Sequence, residues 1–91
     1  MKLRLKGYGT IEITNATLVD GGDIMIESAD HFERLAETTD YEITDVILTE
    51  TDYGWGLVAW LDIPDDEWYE NDAIVLDIEN PEVIYNLKAR L

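Results

Sequence analysis

The stretch Glu42-Ile43-Thr44-Asp45-Val46-Ile47-Leu48-Thr49-Glu50-Thr51, then Asp52-Tyr53-Gly54, then Trp55-Gly56-Leu57-Val58-Ala59-Trp60-Leu61-Asp62-Ile63, decides the fold. Both long runs are rich in β-branched and aromatic residues, which fit a pleated, partly buried surface. The residues between them make a loop short enough for a hairpin. In the second run Trp55, Leu57, Ala59 and Leu61 fall on one face, and Val58 and Trp60 on the other. The first run sets Ile43 and Ile47 against Val46 and Leu48 in the same way. A hairpin that is apolar on both faces lies at the centre of a covered sheet, or it keeps one face open as an interface or dimer surface.

Working outward, Leu3 and Leu5 alternate with Lys2, Arg4 and Lys6, and Thr10 to Thr14 alternates again after Gly7-Tyr8-Gly9. These runs predict a second hairpin, with the basic face of its first strand opposite Glu12. Asn15 to Val19 extends the chain to the turn Asp20-Gly21-Gly22, and Asp23 to Glu27 reads as a further strand. Ser28 suits a helix N-cap, and Ala29, Phe32, Leu35 and Ala36 recur at helical spacing after it. Pro64 to Glu67 resembles a helix start. Ala73 to Ile78 places Ile74, Leu76 and Ile78 on one strand face. Asn80-Pro81 reads as a capped start to a last helix with Val83, Ile84, Leu87 and Leu91 as its apolar stripe. The expected class is α+β in a single domain, residues 1–91. It has a mainly antiparallel sheet of about five short strands, two helices at about 29–38 and 81–90, and a short helical turn near 65–70.

The charge is the unusual property. The 91 residues include 21 acidic and 6 basic side chains, for a net charge of -15. Lys2, Arg4 and Lys6 stand at one end, and Lys88 and Arg90 at the other. All the acids and only Arg34 among the bases lie between. Like charges at this density oppose compaction, so a function that uses the charge would account for its retention. The chain has no cysteine, which excludes disulfides and thiol chemistry. It has no signal-peptide pattern and no long apolar run, so a cytoplasmic location and no membrane contact are expected.

Catalytic groups are scarce. His31 is the single histidine, and its neighbours Ser28 and Asp30 do not make a triad by adjacency alone. No enzymatic activity, cofactor or dedicated metal site is expected. The densest carboxylate group, Asp62, Asp65, Asp66, Glu67, Glu70 and Asp72, lacks the ligand spacing of a calcium-binding loop. Within that group, Trp68 and Tyr69 supply an aromatic pair ringed by acids, suited to a partner surface carrying Lys and Arg. On the predicted first helix, Asp30, Glu33 and Glu37 would form a ladder of carboxylates about 4.5–6 Å apart along the axis.

Direct nucleic-acid binding is disfavoured for so acidic a chain. The inverse is expected: the protein occupies the basic groove of a nucleic-acid-binding protein or nuclease. In size, charge and shortage of catalytic groups the whole chain resembles the phage-encoded DNA-mimic inhibitors, which include anti-restriction and anti-CRISPR proteins. The resemblance implies blockade of a nuclease's nucleic-acid site. The rival readings are an acidic interaction or immunity module for another basic partner and a carboxylate-rich divalent-metal binder.

Overall fold

A computed structural model describes residues 1–64 and 72–91. β1 (Lys2–Leu5) and β2 (Gly9–Leu18) form the first hairpin, with Lys2 opposite Glu12 as the alternation predicts. At the next turn Gly21 and Gly22 take φ of 83° and 86°, which residues with a side chain rarely adopt. The chain then enters β3 (Ile24–Asp30), passes through the single-turn helix α1 (Glu33–Ala36), and continues as β4 (Glu42–Thr51) and β5 (Gly54–Asp62). β6 (Ala73–Asp77) and α2 (Glu82–Arg90) complete it. All neighbouring strands are antiparallel, in the order β1-β2-β3-β4-β5-β6.

The class is α+β, but the sheet has six strands rather than about five, and it curls into a nearly closed barrel. At the seam Leu5 bridges Ile78. The Lys6 N–H donates to the Asp77 carbonyl at 2.9 Å, and the Glu79 N–H to the Arg4 carbonyl at 2.8 Å. The ladder is then continued by a side chain. Asn80 Oδ1 accepts from the Arg4 N–H at 2.8 Å, and its Nδ2 donates to the Lys2 carbonyl at 3.0 Å. Asn80 is therefore not the helix cap that its place before Pro81 suggests. Its carboxamide is committed to β1, it is only 8% exposed, and α2 starts without a side-chain cap.

The predicted helix at 29–38 is likewise corrected. β3 runs through Asp30, pairing Ala29 with Ile13 and Asp30 with Glu12, and the Ser28 hydroxyl shares a hydrogen bond with that of Thr14 at 2.6 Å. A ladder of pairs with β2 outweighs a local N-cap, worth about 1 kcal/mol. His31 at φ 68° ends the strand, and only Glu33–Ala36 is helical. Asp30, Glu33 and Glu37 thus occupy a strand end, a helix start and a helix C-cap, and share no helix face. The turn expected near 65–70 lies outside the described residues.

Leu3, Leu5, Ile11, Ile24, Leu48 and Leu57 fill the interior with almost no exposure, joined by Leu35 of α1 and Ile84 and Leu87 of α2. Each fully buried side chain of this kind contributes about 1.5–3 kcal/mol by leaving water. In β4 a bulge at Thr44 shifts the register, so Ile43 pairs with Leu61 and packs against the core. The alternation had grouped Ile43 with Ile47, which stays on the outer face.

Candidate functional site

In a ring of six strands closed between β1 and β6, β4 stands opposite β1. The register carries one apolar residue from each strand across the outside of that wall. Met25 pairs with Ile47, Ile47 with Val58, and Val58 with Val75. Trp60, one step along β5, pairs with Asp45 on one side and Ala73 on the other. Their neighbours Leu57 and Ala59 are fully buried, so Val58 and Trp60 point outward by strand alternation. Trp60 is 40% exposed and Val75 58%. The open-face reading of the Trp55–Leu61 run describes this side of the hairpin.

Two shallow depressions flank the indole. One, of about 600 Å³, is lined by Val58, Trp60, Asp72, Ala73 and Val75. The other, of about 180 Å³, is lined by Asp23, Ile47, Thr49, Val58 and Trp60. Thr49 donates to Asp23 Oδ1 at 2.9 Å and fixes that carboxylate at the edge. Asp45 and Asp77 border the same wall through their pairs with Trp60 and Gly56. The result is an apolar stripe with an aromatic centre and carboxylates around it.

The wall carries no compensating charge. Strands β3 to β6 contain Glu27, Asp30, Glu42, Asp45, Glu50, Asp62 and Asp77, and no Lys or Arg. Glu42 and Asp62 even stand directly opposite one another, an arrangement that destabilises a strand pair. Among the described residues no Lys or Arg forms an ion pair with a carboxylate. Two of these cations lie over rings instead: Arg34 is 5.6 Å from the centre of Tyr8, and Lys88 is 4.7 Å from that of Trp55. The one described ion pair joins the Met1 α-ammonium to Glu12 at 2.8 Å. Its hydrogen bond holds the Glu12 carboxyl below the usual carboxylate range, aided by the charges of the ammonium, Lys2 and His31 and opposed by desolvation.

Of the residues singled out in the sequence, Asp62 and Asp72 border the wall. Asp62 ends β5, and the Asp72 carbonyl accepts from the Leu61 N–H at 2.9 Å. Asp65, Asp66, Glu67, Trp68, Tyr69 and Glu70 lie outside the described residues. Asp30 and Glu33 flank the strained His31, and Glu37 closes α1. The residues that sequence reasoning missed are Met25, Val75 and Asp23, while the alternation places Ile47 only on one face of the hairpin. Each looks like an ordinary alternation partner until the register lines them up.

His31 lines a separate cavity of about 410 Å³ with Lys2, Thr10, Ile11, Glu12 and Asp30. Ser28, its imagined partner, is engaged with Thr14. Among the described residues no group of three Asp, Glu or His side chains is placed to hold a metal. None of the described helices is long and apolar enough to cross a membrane. No family model, curated protein or solved structure matches this chain.

Proposed function

We propose that this protein binds a basic, nucleic-acid-binding protein or nuclease and excludes the nucleic acid from its groove. The observation that carries the reading is the outer wall of β3 to β6, acidic, free of Lys and Arg, and centred on the exposed Trp60. The magnitudes are of the right order. The molecule is 42 Å long and carries a net -15. A duplex of that length carries about 25 phosphate charges. The carboxylates supply long-range attraction, and the Trp60 stripe supplies the apolar contact that a purely charged surface lacks. The sequence between Ile63 and Asp72 adds four further carboxylates, Asp65, Asp66, Glu67 and Glu70, with Trp68 and Tyr69.

The test is capture of nucleic-acid-binding proteins on the immobilised chain, followed by elution with duplex DNA at constant ionic strength. Release by the duplex, and loss of capture on Asp45→Lys with Asp77→Lys, is the expected result. Retention that the duplex leaves untouched would reduce the reading to a general acidic adaptor. Direct binding of the duplex by this protein would refute both.

A further inference from the structure

The barrel is split along one line. β3 and β4 have 7 and 10 residues, yet only Ile24–Leu48 and Met25–Ile47 are paired between them. Past Met25, β3 follows β2 through two irregular steps in register, pairing Ile26 with Ala16 and Ser28 with Asn15. Before Ile47, β4 follows β5, pairing Val46 with Ala59 and Ile43 with Leu61. The two strands diverge, and their edges face a cleft of about 590 Å³. Met25 and Ile26 line one side of it and Ile43 to Val46 the other, with Phe32 and Ala36 contributed from around α1.

Unpaired strand edges are templates for another strand, and proteins ordinarily cover or blunt them. Here the edge of β4 from Glu42 to Val46, bulged at Thr44, spans four ladder positions and offers about 13 Å of backbone to an incoming chain. The lining is apolar at Met25, Ile26, Ile43 and Phe32. Among the described residues its charged members are Glu27, Glu42 and Asp45, with no cation. Glu27 is already fixed by Asn15 Nδ2 at 3.1 Å and the Thr17 hydroxyl at 2.8 Å, so its charge is held in position.

Resting on the proposal that the partner is basic, we infer that this cleft takes up an extended segment of that partner. The segment adds as a strand beside β4, with alternate residues apolar and Lys or Arg. Main-chain hydrogen bonds would supply affinity, and the alternation would supply selectivity, as in other cases of strand addition. Apolar side chains would seat on Ile26, Ile43 and Phe32, while the basic ones would meet Glu42 and Asp45. Met25 and Asp45 also border the Trp60 wall, so one partner can engage both surfaces continuously.

The probe is an acetylated, amidated peptide of alternating Lys and Val, about seven residues long and so about 23 Å when extended. It is titrated into the ¹⁵N-labelled full chain beside the same peptide N-methylated at every residue. The expected result is amide shifts confined to Met25–Glu27 and Ile43–Val46, slowed exchange along β4, and no binding of the methylated peptide. Glu42→Lys with Asp45→Lys should weaken the parent peptide by about tenfold or more. Shifts spread evenly over the acidic surface, equal binding of the methylated peptide, or no binding of either would each overturn the inference. Capture of a basic protein and its release by duplex DNA is a separate readout. If that readout holds while the peptide fails, the cleft inference falls and the proposed function does not.

Discussion

Replacing Asn80 by Leu should open the seam between β1 and the end of β6. The substitution keeps the side chain's approximate volume and removes both of its hydrogen bonds, to the Arg4 N–H and the Lys2 carbonyl. Each backbone group left without a partner costs about 1–3 kcal/mol when buried. Both sites are only partly buried, so about 2–4 kcal/mol in total is expected for the pair. A domain of this size has about 5–14 kcal/mol in all. At about 4–8 °C per kcal/mol, the melting temperature should fall by about 8–32 °C. Asn80→Asp makes the test chemical. An ionised carboxylate can still accept from the Arg4 N–H but cannot donate to the Lys2 carbonyl, and its burial disfavours the charge. Its pKa should therefore be raised, and a protonated carboxyl regains a donor. A group with a raised folded pKa lends stability that is present at low pH and lost as pH rises through that value. Relative to the parent protein, Asn80→Asp should be weak at about pH 7 and recover at about pH 4.5, while Asn80→Leu should stay weak at both. Melts followed by circular dichroism at constant ionic strength read all three proteins. An Asn80→Leu variant melting within about 2 °C of the parent would refute the seam's energetic role.

Other outcomes follow from the charge and the wall. Raising ionic strength from 0.01 to 0.15 M, which shortens the Debye length from about 30 to about 8 Å, should raise the melting temperature; a fall would mean that attraction to the few cations dominates. Glu42→Gln should stabilise the chain by about 0.2–1 kcal/mol by relieving the pair with Asp62, as measured by urea unfolding. Trp60→Ala should leave the melt nearly unchanged and speed dissociation from a captured basic partner by an amount on the order of a hot-spot loss, about 2 kcal/mol; Leu57→Ala, in the core, should cost about 2–5 kcal/mol of stability. The Glu12 carboxyl has a lowered folded pKa, so its contribution is present above the ordinary carboxylate pKa and lost as pH falls through the folded value. The stability difference between the parent and Glu12→Gln should accordingly shrink to nothing in acid, as followed by melts across that range.

The parts of the fold carried by neighbours in sequence were legible. Alternation and a three-residue break give the β4–β5 hairpin, and the facing of Lys2 and Glu12 follows from the first turn alone. The parts carried by distant contacts were not. Ser28 has the chemistry of an N-cap, and only the presence of β2 alongside turns it into a strand residue. Asn80 likewise looks like a cap until Arg4, 76 positions away, is brought against it. Half of the wall could be read from Val58 and Trp60 alternating with buried neighbours. Its other half needed a register linking four strands, which no local pattern encodes. The bulge at Thr44 also reverses the reading of Ile43, because one extra residue exchanges the two faces of a strand.

The position of β1 has a consequence for how this molecule meets anything charged. Lys2, Arg4 and Lys6 lie on or just after the strand that faces away from β4, so three of the six basic side chains stand across the barrel from strands that carry none. Such an uneven placement of the cations gives the molecule an electric moment beside its large net charge. Approaching a basic surface, it experiences a torque before contact that turns the β4 side forward and the β1 side back. Of the orientations in which two proteins can collide, most are unproductive, and this is the usual reason that association falls below the diffusion limit. Here the field itself selects among them, over a range set by the ionic strength of the surroundings.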